Sequence, residues 1–203
     1  MRIAVAIFVK TPGLSDIKTR LAKGIGAQKA AEFYLQSVAT TAMKVKKFAE
    51  SQPDVFPFWA VAEESGCDHP LWKEFPTIYQ GMGGLGERQY KIFSDLINTH
   101  DGVVLIGADC PHMPTNTLSD AAKSLSPSGE NFVIGPAEDG GYYLFAASKP
   151  VAQEIWTGVT YSYEHTRKEL EELLRPQGHI IHLPELFDID TKAEYQKVSD
   201  YIW

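Results

Sequence analysis

Residues Val103–Pro111 read VVLIGADCP, and this stretch decides the fold class. Val103, Val104, Leu105 and Ile106 form an unbroken apolar run with β-branched residues, the pattern of a strand buried on both faces of a parallel sheet. Gly107 permits a tight turn and Pro111 cannot donate to a ladder, so the strand must stop there. Asp109 is therefore expected on a loop just past the carboxyl end of a central strand, where open α/β sheets place their ligands. A carboxylate in that position calls for a cation or a set of donors, because burying it unpaired is costly. The expectation is that Asp109 binds a divalent metal that in turn holds a diphosphate. The competing use is a cap on the following helix.

Working outward, apolar strand patterns alternate with helical ones. Ile3 to Val9 is a first buried strand, Ala27 to about Glu50 carries a helical stripe, and Val55 to Val61 is a second strand whose Pro57 suggests an irregular or edge position. A short strand at Thr77 to Tyr79 precedes a helix through Tyr90, Ile92, Phe93, Leu96 and Ile97. Thr115 or Asn116 can cap a helix through Leu118 and Leu125; Phe132 to Gly135 and the YYLFA run from Tyr142 read as further strands. A helix from about Tyr163 to Leu174, a strand from Ile180 to Leu183 and a closing helix capped by Thr191 complete the chain. This alternation predicts a single Rossmann-like α/β domain over residues 1–203, with a mainly parallel sheet and helices on both faces.

The polar motifs fall at the predicted strand ends. KTPGLSDIKTRLAKGIG follows the first strand and concentrates cations, so Lys10, Lys18 and Arg20, with the Pro12–Gly13 turn, are candidates for holding a phosphate group; a solvated basic loop is the plainer account. Neither a Walker A nor a GxGxxG spacing is present there. QGMGGLGER supplies a second flexible loop, with Gly84, Gly86 and Arg88 as candidates for contact with a nucleotide at the start of a helix. In GPAEDGGYYL, Glu138 and Asp139 precede two glycines and are candidate catalytic carboxylates, with a plain hairpin turn as the alternative. In LFDIDT, Asp188 and Asp190 share a face if extended, and repel unless a cation joins them; they are candidates to complete the metal shell begun by Asp109, or caps of the last helix.

The formal net charge of −7 disfavours a general nucleic-acid binder, and no stretch approaches the roughly 20 apolar residues of a membrane helix. Cys67 and Cys110 are far apart and match no zinc or disulfide framework; with no export signal in MRIAVAIFVK, a reducing cytoplasm is the expected setting.

Taken together, KTPGLSDIKTRL, QGMGGLGER, GADCP, GPAEDGGYYL and LFDIDT resemble a bacterial family of predicted glycosyltransferases in the nucleotide-diphospho-sugar transferase superfamily, similar to cofactor guanylyltransferases and molybdopterin-cofactor nucleotidyltransferases. The resemblance spans nearly the whole chain. It implies an A-type glycosyltransferase fold, a nucleotide over the amino-terminal half, and a magnesium or manganese ion on the diphosphate. By that resemblance Lys18 and Arg20 match the basic part of the first loop, Asp109 the metal carboxylate, and Asp188 and Asp190 the closing acidic motif. The glycosyltransferase DxD pattern is not met at Asp109, since Pro111 stands two positions on. The expected activity is transfer of a sugar from a nucleotide diphosphate donor to a small acceptor. The alternatives are nucleotidyl transfer with pyrophosphate release, and nucleotide binding without turnover.

Overall fold

The computed structural model describes residues 1–198; the last five positions of the expected single domain lie outside the described residues. Seven strands form one sheet in the order β3-β2-β1-β4-β6-β5-β7. They are β1 (Ile3–Val9), β2 (Val55–Val61), β3 (Thr77–Tyr79), β4 (Gly102–Gly107), β5 (Asn131–Pro136), β6 (Tyr142–Ala147) and β7 (His179–His182). All pairings are parallel except those of β6, which runs antiparallel to β4 and β5.

The apolar runs fill both faces because the side-chain period is two. On one face Val5, Ile7, Val104 and Ile106 pack with Val38 and Val45 of α2 (Ala27–Ser51) and Leu118 of α4 (Thr117–Ser124). On the other, Ala4, Ala6, Val103 and Leu105 pack with Ile92 and Phe93 of α3 (Leu85–Ile97), Trp156 of α5 (Gln153–Thr157) and Leu170 of α6 (Thr166–Leu174). Pro57 is explained by the same geometry. Trp59 N donates to Pro76 O at 2.8 Å, and Pro57, two residues earlier, turns its ring nitrogen to the same side, where β3 has not yet begun.

Two helices go beyond the sequence expectation. The basic loop contains α1 (Thr19–Ile25), held by Leu21 in a satellite core with Ala30, Phe33, Ile189 and Val198, and α5 buries Ile155 and Trp156. Both are too short for an apolar period to declare itself. α6 begins at Thr166 rather than Tyr163, because the Thr166 hydroxyl turns back to the carbonyls of Thr160 and Tyr163 at 2.7 and 2.8 Å. Asn116 stands at the start of α4 without a side-chain cap, its amide donating instead to Asp120 at 2.7 Å. Gly107 has no positive φ and open space around it, so the turn after β4 does not depend on a glycine. Among the described residues no helix is long and apolar enough to cross a membrane.

Candidate functional site

β1 pairs with β2 on one side and β4 on the other. The chain leaves β1 through α2 for β2 on one flank of the sheet and leaves β4 through α4 for β5 on the other flank, so the crevice between the carboxyl ends of β1 and β4 is a topological switch point. A cavity of about 640 Å³ opens there. Lys10, Lys18 and Arg20 reach it from the first loop, Gly84 and Arg88 from the second, Asp109 from the end of β4, and Asp188 and Asp190 from the approach to α7 (Lys192–Val198). Pro12, Gly13, Gly86, Glu138 and Asp139 are not among its lining residues.

Lys18 is the centre of the arrangement. It precedes α1 with a left-handed backbone, φ 44°, and its side chain is only 5% exposed. Its Nζ lies 2.8 Å from Asp109 Oδ1, 3.0 Å from Asp190 Oδ1 and 3.0 Å from the carbonyl oxygen of Ile189. The ammonium thus directs its hydrogens to three oxygens from segments remote in sequence. Burial lowers the lysine's pKa, but the charges of Asp109 and Asp190 outweigh it and leave the group more basic than usual. Arg20 adds a contact of 3.4 Å to the second oxygen of Asp190.

Asp188 and Asp190 flank the fully buried Ile189 and both reach the cavity, as alternation requires. Neither caps the last helix. Thr191 Oγ1 accepts from Glu194 N at 3.3 Å while the Glu194 carboxylate accepts from Thr191 N at 2.7 Å, a reciprocal capping box. Asp188 instead receives the Cys110 thiol at 3.0 Å. Burial, reinforced by the charges of Asp109 and Asp139 and opposed by the Cys110 bond, pushes its pKa up to about 6.

The loops are fastened by residues the sequence reading passed over. The Tyr34 hydroxyl accepts from Lys10 N at 2.8 Å and donates to Lys10 O at 2.7 Å, while the Glu63 carboxylate accepts from Thr11 N at 2.8 Å. Tyr34 belongs to the apolar stripe of α2, its ring in the core and its hydroxyl on the loop. Pro12 and Gly13 form the turn closed by Leu14 N and Ser15 N on Thr11 O, with Gly13 at φ +85°. In the second loop the buried Gln80 donates to Ala60 O at 2.8 Å, and Arg88 Nε donates to Gly83 O at 3.0 Å. Gly86 faces away from the cavity: a Cβ there would stand 2.5 Å from the Trp156 carbonyl oxygen, so this glycine serves the packing of α3 on α5. Glu138 and Asp139 lie exposed on the β5–β6 turn, where Ala137 N bonds Gly141 O at 3.1 Å and Asp139 Oδ1 accepts from Gly141 N at 2.9 Å. This is the hairpin that Asp139–Gly140 favours.

The expected shell of three carboxylates is not assembled as such. Among the described residues no group of three His, Cys, Asp or Glu side chains is placed to hold a metal ion. The physical reason is that Asp109 and Asp190 close on the Lys18 ammonium while Asp188 turns to Cys110. The donors themselves suit a hard dication, since Asp109, Asp190 and the Ile189 carbonyl already form an all-oxygen cage around a positive charge.

Strand order, layering and the position of this crevice define the fold as that of nucleotide-diphospho-sugar transferases. The chain superposes on a "putative nucleotide-diphospho-sugar transferase" from Desulfovibrio desulfuricans G20 with a TM-score of 0.83, at 24% identity over 98% of this chain and 88% of that one. For 4-diphosphocytidyl-2C-methyl-D-erythritol synthase from Anaerococcus prevotii DSM 20548 the TM-score is 0.62, at 10% identity over 98% and 95%. Rv0371c from Mycobacterium tuberculosis H37Rv, in complex with manganese, gives 0.51 at 12% identity over 99% and 100%. These likenesses show a shared fold. Residues 43–163 match the family described as "Uncharacterized protein conserved in bacteria (DUF2064)", and the chain belongs to that family. No curated protein matches it.

Proposed function

We propose that the chain is a transferase acting on a nucleotide-linked substrate, moving a sugar from a nucleotide diphosphate donor to a small acceptor. The observation that supports this reading is the convergence of Lys18, Arg20, Asp109, Asp188 and Asp190 on one cavity of about 640 Å³ at the switch point of the sheet. That size suits a nucleotide-scale ligand.

Asp109, with Asp188 or Asp190, would hold magnesium or manganese, which when bound supplies positive charge to the diphosphate as it departs. Lys18 and Arg20 bind phosphate oxygens and hold fixed charge where negative charge grows. Lys10, fastened through its backbone to Tyr34, adds a further cation at the same mouth. Arg88, anchored on Gly83 and facing Gln80 at 3.5 Å, keeps the second loop shaped so that Gly84 can lie against the nucleoside. Glu138 and Asp139 stand on the exposed β5–β6 turn, outside the lining of this cavity. The fold shared with the Anaerococcus synthase brings in nucleotidyl transfer as a second reading, with the same residues on the same phosphates.

The test is a product assay with manganese and panels of nucleotide sugars and nucleoside triphosphates. Release of a nucleoside diphosphate supports sugar transfer, and release of pyrophosphate supports nucleotidyl transfer. Nucleotide binding, seen as a raised melting temperature, without product from any donor and acceptor pair would overturn both. Metal-dependent turnover left near normal by Asp109→Ala would remove Asp109 from the metal site.

A further inference from the structure

We infer that Lys18 is a tethered counter-ion occupying the cation position of this site, so that a divalent ion gains Asp109 and Asp190 only when an anionic ligand draws the ammonium away. The inference rests on the reading that these carboxylates hold the metal, and adds an order to the binding events.

Three features carry it. First, the ammonium is saturated, with oxygens at 2.8, 3.0 and 3.0 Å from Asp109, Asp190 and Ile189, and the side chain is almost wholly withdrawn from solvent. A dication using both carboxylates would stand beside it, and like charges a few ångströms apart repel, the more so where one of them is withdrawn from water. Second, the remaining oxygen of Asp190 faces Arg20 at 3.4 Å and Asp188 is engaged by Cys110 at 3.0 Å. A second cation therefore meets carboxylates already engaged by Lys18, Arg20 and Cys110. Third, Lys18 is held in this pose by the left-handed backbone that opens α1, φ 44°. Such conformations in non-glycine residues persist where surrounding contacts over-determine them, and cluster at sites that switch. A diphosphate offers the ammonium new oxygens within the same cavity. Once Lys18 turns to it, Asp109 and Asp190 become a vacant pair whose mutual repulsion favours a dication. The lysine thereby keeps the two carboxylates neutralised while no nucleotide is bound.

The experiment is a manganese titration of the full-length chain without nucleotide, followed through the paramagnetic resonance of free Mn²⁺ and through the melting temperature. Lys18→Met and Lys18→Gln, two neutral replacements so that one folding failure is not decisive, should bind Mn²⁺ about tenfold or more tightly than the wild type, whereas Lys18→Arg, which keeps the charge, should not. Adding Asp109→Asn to either neutral variant should abolish the gain. Equal affinity in wild type, Lys18→Met and Lys18→Gln, with Asp109→Asn still weakening all three, overturns the counter-ion role and leaves the metal reading intact. If Mn²⁺ affinity is indifferent to Asp109→Asn in every background, with or without a nucleoside diphosphate, the metal reading fails and this inference fails with it.

Discussion

Two acidic turns stand at the carboxyl ends of neighbouring regions of the sheet, and only one of them faces the cavity. After β4, Asp109 enters the crevice and meets Lys18 at 2.8 Å; after β5, Glu138 and Asp139 sit on an exposed hairpin. The motifs are alike in composition, so the difference lies in what the chain does next. β4 leads through α4 to β5 on one flank of the sheet, while its neighbour β1 leads through α2 to β2 on the other flank, which opens a gap between the two strand ends. β5 is followed at once by its antiparallel partner β6, and the turn closes on itself through Ala137, Asp139 and Gly141. Topology, more than residue type, turns an acidic strand end into a site.

That contrast can be broken at several points. Asp109→Ala should lower turnover by at least about a hundredfold while leaving the far-ultraviolet circular-dichroism spectrum of the fold intact, the scale seen when one preorganised charge-stabilising group is removed. Next in size is Gly140→Ala in the hairpin. Its φ is +88° and a Cβ would collide with the Glu164 carbonyl oxygen, so chemical denaturation should show a loss of about 2–4 kcal/mol. Gly107→Ala in the other turn meets nothing closer than 3.9 Å and should shift stability by less than about 0.5 kcal/mol.

A smaller effect comes from the brace behind the hairpin. Arg167 N donates to Gly140 O at 2.9 Å, and the Arg167 guanidinium is held at 2.8 Å by the buried Glu171, which also meets His182 at 2.8 Å. Burial alone would raise the Glu171 pKa, but the bonds from His182 and Arg167 overcome it and hold the carboxyl below its ordinary value. Its stabilisation is thus complete above the unfolded carboxylate range and is lost as pH falls through the depressed pKa. Glu171→Gln should cost about 1–3 kcal/mol near neutrality, and denaturation curves of variant and wild type should draw together in acid. Smallest of all, Glu138→Gln and Asp139→Asn should change turnover by less than about threefold, since neither carboxylate lines the cavity and general-base loss would cost about a hundredfold or more. A drop in Asp139→Asn as deep as that of Asp109→Ala would erase the contrast.

Much of this is legible in the sequence itself. VVLIGADCP placed Asp109 at a central strand end because apolar runs and a breaker pair report directly on local geometry. Lys18 and Arg20 stood out as cations in one loop, and Asp188 and Asp190 as a same-face pair. What composition could not convey was pairing. Lys18 and Asp190 are 172 positions apart, and nothing local announces that the lysine fills the place between two carboxylates. Gly86 was misassigned because a glycine signals close approach without saying what approaches; here it is the Trp156 carbonyl. Gln80 and Tyr34 were missed because their work is to hold backbone, and an isolated polar side chain in an otherwise apolar pattern carries no mark of that.

The cage around Lys18 joins the first tenth of the polypeptide to its last tenth, with Ile189 and Asp190 supplying two of its three oxygens. During synthesis the basic loop therefore emerges before Asp109 and long before Asp190, the two acids that neutralise Lys18. A nascent chain halted before Asp188 would lack α7 and leave Lys18 with Asp109 as its one remaining partner in the cage and Arg20 without Asp190, so the closing segment is what completes the receptor.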